Sequence, residues 1–206
     1  LLVMDMDSTV IAIECIDEIA KLAGVGEQVA EVTAKAMRGE IAFNDSLTHR
    51  VACLEGVPVS HLNQIRDSIP IMPGIQTLLT HLKQHNWKLA IASGGFTFFA
   101  DHLKARLGLD FAVSNTLAVE NEKLTGKVEG EIVNAEVKAR TVKALAEKWQ
   151  IASEQTFAMG DGANDLVMMA ESALGVACHG KPLVNEKADV AIRIGSLHSL
   201  LYFLNK

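Results

Sequence analysis

Two carboxylates separated by one residue, Asp5 and Asp7, close the apolar run Leu1-Leu2-Val3-Met4. An ionised carboxylate is costly to bury alone, so such a pair calls for a cation, a shared proton or an open mouth. A second polar cluster, Ser93-Gly94-Gly95, follows Leu89-Ala90-Ile91-Ala92. Its glycines let the backbone approach a ligand closely, and the first amides of a following helix suit a phosphate. The third cluster, Gly160-Asp161-Gly162-Ala163-Asn164-Asp165, puts two carboxylates and an amide into a glycine-rich turn after Thr156-Phe157-Ala158-Met159. Hard oxygen donors of this kind suit Mg²⁺. Lys138 is the candidate cation over a phosphoryl group. Together these are the parts of a phosphoryl-transfer site. A carboxylate can attack phosphorus to give an aspartyl phosphate, provided that a divalent metal and fixed cations neutralise the approach. A second carboxylate two residues on can protonate the leaving alkoxide and then deprotonate the water that cleaves the intermediate.

The elements that must position these groups follow from periodicity. Leu1–Met4 reads as a buried strand. Glu14–Leu22, Glu27–Arg38, Phe43–Leu54 and Val59–Ile69 carry apolar residues at helical spacing, with Gly24, Gly39 and Gly56-Val57-Pro58 as stops. From Pro70 strands and helices alternate. Lys88–Ala92, Phe111–Val113, Thr156–Met159, Leu174–Ala177 and Val190–Ile194 read as strands. Residues 117–132 read as a hairpin with turn signals at Glu120-Asn121 and Thr125-Gly126. Helices are expected after Pro73 and over Phe98–Leu107, Ala135–Trp149, Asp165–Ser172 and Leu197–Leu204. The fold class is α/β: a three-layer, doubly wound, mainly parallel, Rossmann-like sheet with a small helical-bundle cap inserted after the first strand. Residues 1–11 and 70–206 form the core domain and 12–69 the cap. In such sheets sites lie at the carboxyl ends of strands, and all three polar clusters fall there.

Composition narrows the partners. Hydrophobic residues make up 49% and charged residues 21%, enough for a real core. A net charge of -6 without a basic cluster argues against nucleic acid. No apolar run reaches the roughly 18 residues of a membrane span, so no membrane partner is expected. Cys15, Cys53 and Cys178 are widely spaced and odd in number, which suits neither a disulfide framework nor a zinc–cysteine site. A reducing, cytoplasmic setting fits best. Leu1 opens inside a strand, so a further N-terminal segment is expected ahead of it.

The motifs Asp5-Met6-Asp7-Ser8-Thr9, Ser93-Gly94-Gly95, Lys138 and Gly160–Asp165, in that order, resemble those of the haloacid dehalogenase superfamily. Within it the chain is most similar to the phosphoserine phosphatases. Glu14–Ala20, Ala36-Met37-Arg38-Gly39, Phe43, Ser46-Leu47, Arg50 and Leu124-Thr125-Gly126 support that likeness, which runs nearly end to end. The resemblance implies Asp5 as nucleophile and Asp7 as general acid/base. It implies Mg²⁺ on the Asp5 carboxylate, the Asp7 carbonyl and Asp161, with Asp165 in support. Ser93, the Gly94 amide and Lys138 would hold the phosphoryl group. From the cap, Glu14 would pair with the substrate ammonium and Arg50 with its carboxylate, while Met37 and Phe43 line the pocket; Asn164 would face the substrate. A zwitterionic amino acid needs one fixed anion and one fixed cation, and Arg grips a carboxylate bidentately. The implied reaction converts O-phospho-L-serine and water to L-serine and phosphate, the last step of phosphorylated serine biosynthesis. Transfer to an alcohol acceptor such as homoserine, and hydrolysis of another small metabolite, are the alternatives. A homodimer is one assembly the sequence allows.

Other signals carry less. Gly175–Lys181 has P-loop spacing, but Pro182 stands where a metal-binding hydroxyl belongs and removes an N–H, so a loop is expected. His81 and His85 share a helix face without a third ligand. Ser93 lacks the Gly-x-Ser-x-Gly frame of a hydrolase nucleophile. Leu197, Leu200, Leu201 and Leu204 form a stripe suited to the core.

Overall fold

Leu2 and Met4 point to one face of the first strand and Val3 to the other, and all three are fully buried. In a strand successive side chains alternate faces, so both sides of this one must be covered. The computed structural model, which describes residues 1–204, shows how. The strands are β1 (Leu2–Met4), β2 (Leu89–Phe96), β3 (Phe111–Glu120), β4 (Lys123–Glu129), β5 (Phe157–Gly160), β6 (Leu174–Cys178) and β7 (Val190–Ile192). They form one sheet in the order β4-β3-β2-β1-β5-β6-β7. All neighbouring pairs are parallel except β3 with β4.

The helices are α1 (Cys15–Leu22), α2 (Gly26–Met37), α3 (Phe43–Ala52), α4 (Val59–Asp67), α5 (Ile75–Gln84), α6 (Thr97–Leu107), α7 (Ala135–Lys148), α8 (Leu166–Glu171) and α9 (Pro182–Lys187). One sheet face carries small residues, Ala90, Ala92, Ala158 and Ala177, packed with Val142, Leu145, Met168, Met169 and Val184 of α7, α8 and α9. The opposite face carries Leu2, Met4, Leu89, Ile91, Met159 and Val176, packed with Ile75, Leu78, Leu79, Leu82, Phe99 and Leu103 of α5 and α6. Burying each large side chain contributes roughly 1.5–3 kcal/mol before the entropy of ordering it is counted. The three-layer α/β expectation is borne out.

Helices α1 to α4 lie between β1 and α5, as expected, and are tied down at two places. The entering and leaving chains pair across Ile11 and Ile71, with Ala12 N–H to the Pro70 carbonyl and Met72 N–H to the Val10 carbonyl, each 2.9 Å. The α3–α4 turn is zipped onto the β3–β4 hairpin through Gly56 N–H to Leu124 O at 2.8 Å and Val59 N–H to Glu122 O at 2.9 Å.

Several local readings are corrected. The strand expected over Phe111–Val113 runs on to Glu120, because its second half pairs antiparallel with β4. Of the two turn signals, the first forms the hairpin turn: Asn121 and Glu122 both take positive φ, while Thr125-Gly126 lies within β4. Ser93-Gly94-Gly95 belongs to β2 itself, where the register against β3 is interrupted between Ala92 and Phe96. Such an irregularity re-aims side chains at a strand end. The stretch Gly175–Lys181 is loop only after Cys178, and Pro182 opens α9, since a proline is tolerated in a first helical turn. The terminal helical reading is a 3₁₀ segment, Leu197–Phe203, with Leu197 and Leu200 fully buried.

Candidate active site

The central strand β1 ends at Met4, so Asp5 emerges between β2 and β5, where the strand order reverses direction. Loops on either side of such a point diverge and leave a crevice. Here the crevice is a cleft of about 1120 Å³ between the strand ends and helices α1, α2 and α3. Asp5, Asp7, Ser93, Gly94, Asp161 and Asn164 reach it from the sheet, and Glu14, Met37, Phe43 and Arg50 from the helices.

At its floor is a buried charge network. Lys138, with no exposed surface, sits 2.8 Å from Asp5 Oδ2 and 2.7 Å from Asp165 Oδ1. Burial by itself would lower the Lys138 pKa, but the charges of Asp165 and Asp5 outweigh it and hold the ammonium well above its ordinary value. Asp165 uses its other oxygen to accept from the Asp161 and Gly162 amides at 3.1 and 3.0 Å. Burial and the Asp5 charge push this carboxyl up, with Lys138 and the amide contacts opposing. Asp5 Oδ1 accepts from the Met6 amide at 2.7 Å. Thr9 Oγ1 donates to Asp161 Oδ1 at 3.2 Å.

Oxygen atoms of Asp5, Asp161 and Asp165 lie within 4.8 Å of one another. Burial, followed by the charges of Asp5, Asp165 and Glu14, raises the Asp161 pKa from 3.8 to about 7. One lysine does not balance three clustered carboxylates, and hard oxygens at this spacing fit a divalent cation. The residues can hold a metal.

Above the floor, the Asp7 carboxyl accepts from the Cys15 amide at 3.3 Å. Its enclosure, then the Glu14 and Asp5 charges, push its pKa well above the carboxylate range. A carboxyl whose proton is held more tightly in this way is suited to give up a proton and take it back. Ser93 Oγ accepts from the Gly95 amide at 3.0 Å and is buried. The two glycines are needed for close approach. A Cβ at Gly94 would meet the Phe43 ring at 2.9 Å, and one at Gly95 would meet Met6 Cε at 2.5 Å and Asp7 Oδ2 at 2.7 Å.

On the helical side, Glu14 Oε1 accepts from Ser8 Oγ at 2.7 Å, and Ser8 holds a left-handed φ of 56° to make that reach. Non-glycine residues adopt such a φ at a cost and cluster at sites. The protein around its carboxyl and the charge of Asp5 push Glu14 above its ordinary pKa, against the Ser8 bond. Arg50 is half-buried, donates from Nε to the Ser46 carbonyl at 3.4 Å, and has its pKa lowered by burial, opposed by Asp17, Glu14 and Asp7. Met37 is 71% exposed at the rim.

All twelve residues singled out from sequence therefore lie on the cleft or its floor. Sequence reading missed Asn115, fully buried, which donates to the Gly94 carbonyl and accepts from the Val133 amide, both at 2.8 Å. It missed Lys181, whose amide donates to the Asp161 carbonyl at 3.1 Å and whose side chain lines the cleft. Nothing in the spacing of either residue signals a role. The three cysteines are unpaired, as expected.

Comparison with known proteins gives a consistent picture. Residues 1–172 match the family model described as haloacid dehalogenase-like hydrolase. A phosphoserine phosphatase of Haemophilus influenzae is 54% identical over 205 residues, which is 100% of this chain and 65% of that protein; the chain thus spans about two thirds of that relative. A solved phospho-aspartyl intermediate analogue of phosphoserine phosphatase superposes with a TM-score of 0.92 at 38% identity, covering 98% of this chain and 97% of that one. A substrate-bound phosphoserine phosphatase complex superposes with a TM-score of 0.92 at 37% identity, covering 98% and 96%.

Proposed function

This chain belongs to the haloacid dehalogenase-like hydrolases, and on that premise we propose that it is a Mg²⁺-dependent phosphatase of O-phospho-L-serine. The observation that carries the reading is the Asp5–Lys138–Asp165 network beneath a cleft whose opposite wall offers Glu14 and Arg50. An oxygen of the Asp5 carboxylate attacks phosphorus, the phosphorus–serine oxygen bond breaks, and Asp7 gives its proton to the serine alkoxide. Water then attacks the aspartyl phosphate, Asp7 takes the water proton, and the phosphorus–Asp5 bond breaks to release phosphate. Asp5 and Asp161 through their carboxylates and Asp7 through its carbonyl, with Asp165 in support, would hold the metal, which when bound would supply positive charge for the phosphoryl oxygens. Ser93, the Gly94 amide and Lys138 hold the phosphoryl group without reorganising, which is where most of the electrostatic stabilisation arises. Glu14 takes the ammonium, Arg50 the carboxylate, and Met37, Phe43 and Asn164 bound the side of the pocket. Residues 12–69 act as a cap over the core of 1–11 and 70–206.

The three free cysteines favour a reducing, cytoplasmic setting, and no helix among the described residues is long and apolar enough to cross a membrane. The test is a Mg²⁺-dependent phosphate-release screen over phosphoserine, phosphothreonine and sugar phosphates, with homoserine added as a competing acceptor. Phosphoserine should be the preferred donor and free phosphate the product. Preference for a sugar phosphate, or phosphohomoserine as main product, would replace this reading by one of its alternatives.

A further inference from the structure

The wall of the cleft contains a hydroxyl with nothing to bind. Ser46 Oγ is shut off from solvent and has no hydrogen-bond partner, and the whole residue is 1% exposed. A buried polar atom left unpaired costs about 1–3 kcal/mol, so a structure that keeps one usually has a use for it. In a helix interior a serine commonly bonds the carbonyl four residues back, but here the Ala42 carbonyl accepts only the Ser46 amide, at 2.9 Å.

Its position shows what it could meet. Phe43, Ser46, Leu47 and Arg50 recur at the spacing of one helix face, and all four line the cleft. Ser46 therefore shares a helix face with Phe43 and Arg50, and its carbonyl accepts from Arg50 Nε at 3.4 Å. It also lies in the first turns of α3, a ten-residue helix whose leading residues Phe43, Asn44 and Asp45 line the same cleft. The first amides of a helix have no partner within it, and they favour an anion.

The charge balance of this wall calls for neutral donors. The positive charge of Arg50 is offset by Asp17, Glu14 and Asp7, all close enough to bear on it. A substrate carboxylate arriving at Arg50 also meets the carboxyl groups of Asp17 and Glu14 beside that one cation. A hydroxyl and helix amides hold an anion by hydrogen bonds and leave the cation free for the fork.

We propose that Ser46 is a specificity-determining residue of the substrate pocket, its Oγ–H donating to the substrate carboxylate beside Arg50. This rests on the phosphoserine reading. Selectivity then comes from two donors on one helix face, and a phosphomonoester without a carboxylate leaves Ser46 unpaired.

The test compares Ser46→Ala with the wild type on phosphoserine and on phosphoethanolamine, which keeps the phosphate and ammonium but lacks the carboxylate. Loss of one hydrogen bond to a charged group predicts a KM for phosphoserine raised about tenfold or more, with kcat little changed and phosphoethanolamine turnover unaltered. Without substrate, Ser46→Ala should melt at or above the wild-type temperature, because its hydroxyl has no bond to lose. Ser46→Cys, a near-isostere with a weak donor, should fall between the two in KM. Equal effects on both substrates, no effect on either, or a lowered melting point without a change in KM would each overturn the assignment. A wild type that ignores phosphoserine sinks the functional reading itself, whereas selective failure of the Ser46 variants leaves that reading standing.

Discussion

Lys138→Met is the most informative perturbation of the site. Lys138 has no exposed surface and contacts Asp5 and Asp165 at 2.8 and 2.7 Å, so its removal leaves two carboxylates without a counter-charge. Breaking a fully buried pair by deleting one partner costs about 3–5 kcal/mol, mostly from the stranded charge. For a chain of this size that corresponds to a fall in melting temperature of roughly 6–20 °C. Total stability of a domain is about 5–15 kcal/mol, so the variant should still fold at 25 °C. Turnover should drop further, by about 10²–10³-fold, because a preorganised cation at the phosphoryl group is lost. The two effects separate in the double variant Lys138→Met/Asp165→Asn. It removes one stranded anion while keeping an oxygen that the Asp161 and Gly162 amides can reach, so melting should recover by about half and turnover should not. Thermal melts with a phosphate-release assay decide the matter. A single variant that melts within about 2 °C of wild type, or a double variant no more stable than the single, would refute the buried ion-pair account.

Three further outcomes follow from the same geometry. Asp5→Asn keeps the shape of the side chain and an oxygen for Lys138, so it should fold yet release no phosphate from phosphoserine; ordinary turnover would sink the covalent route. Gly95→Ala places a methyl group 2.7 Å from where Asp7 Oδ2 now lies, and displacing the proton carrier should cut kcat about 10–100-fold with a smaller change in melting. Metal binding should depend on pH through Asp161, whose pKa is raised from 3.8 to about 7. Between those values the folded, metal-free chain holds a proton that the unfolded chain has released, so this group's contribution to stability falls as pH rises through the window. The metal needs the carboxylate, so the Mg²⁺-induced gain in melting temperature should be larger at pH 8 than at pH 5.5, and an equal gain at both would count against Asp161 as a ligand.

Local sequence determined a good deal of this protein. The β1 run, alternating with carboxylates at its end, and the 3.6-residue periodicity of α1 to α4 need only nearest-neighbour physics, and both are found where the pattern puts them. The chemistry of the floor was legible in part, since the carboxylates of Asp5 and Asp161 at strand ends call for a cation, for which Lys138 was the candidate. Tertiary structure decided the rest. That Lys138 bridges Asp5 and Asp165, that β3 runs on into a hairpin gripping the α3–α4 turn, and that Gly94 is small because Phe43 leans on it are contacts between segments far apart in the chain. Ser46 shows the limit most clearly: one more hydroxyl on an amphipathic helix until the fold buries it in the cleft wall, on the helix face of Phe43 and Arg50, without a partner. Local pattern fixes which residues must be hidden, but only packing determines which polar atom, once hidden, is left waiting for a ligand.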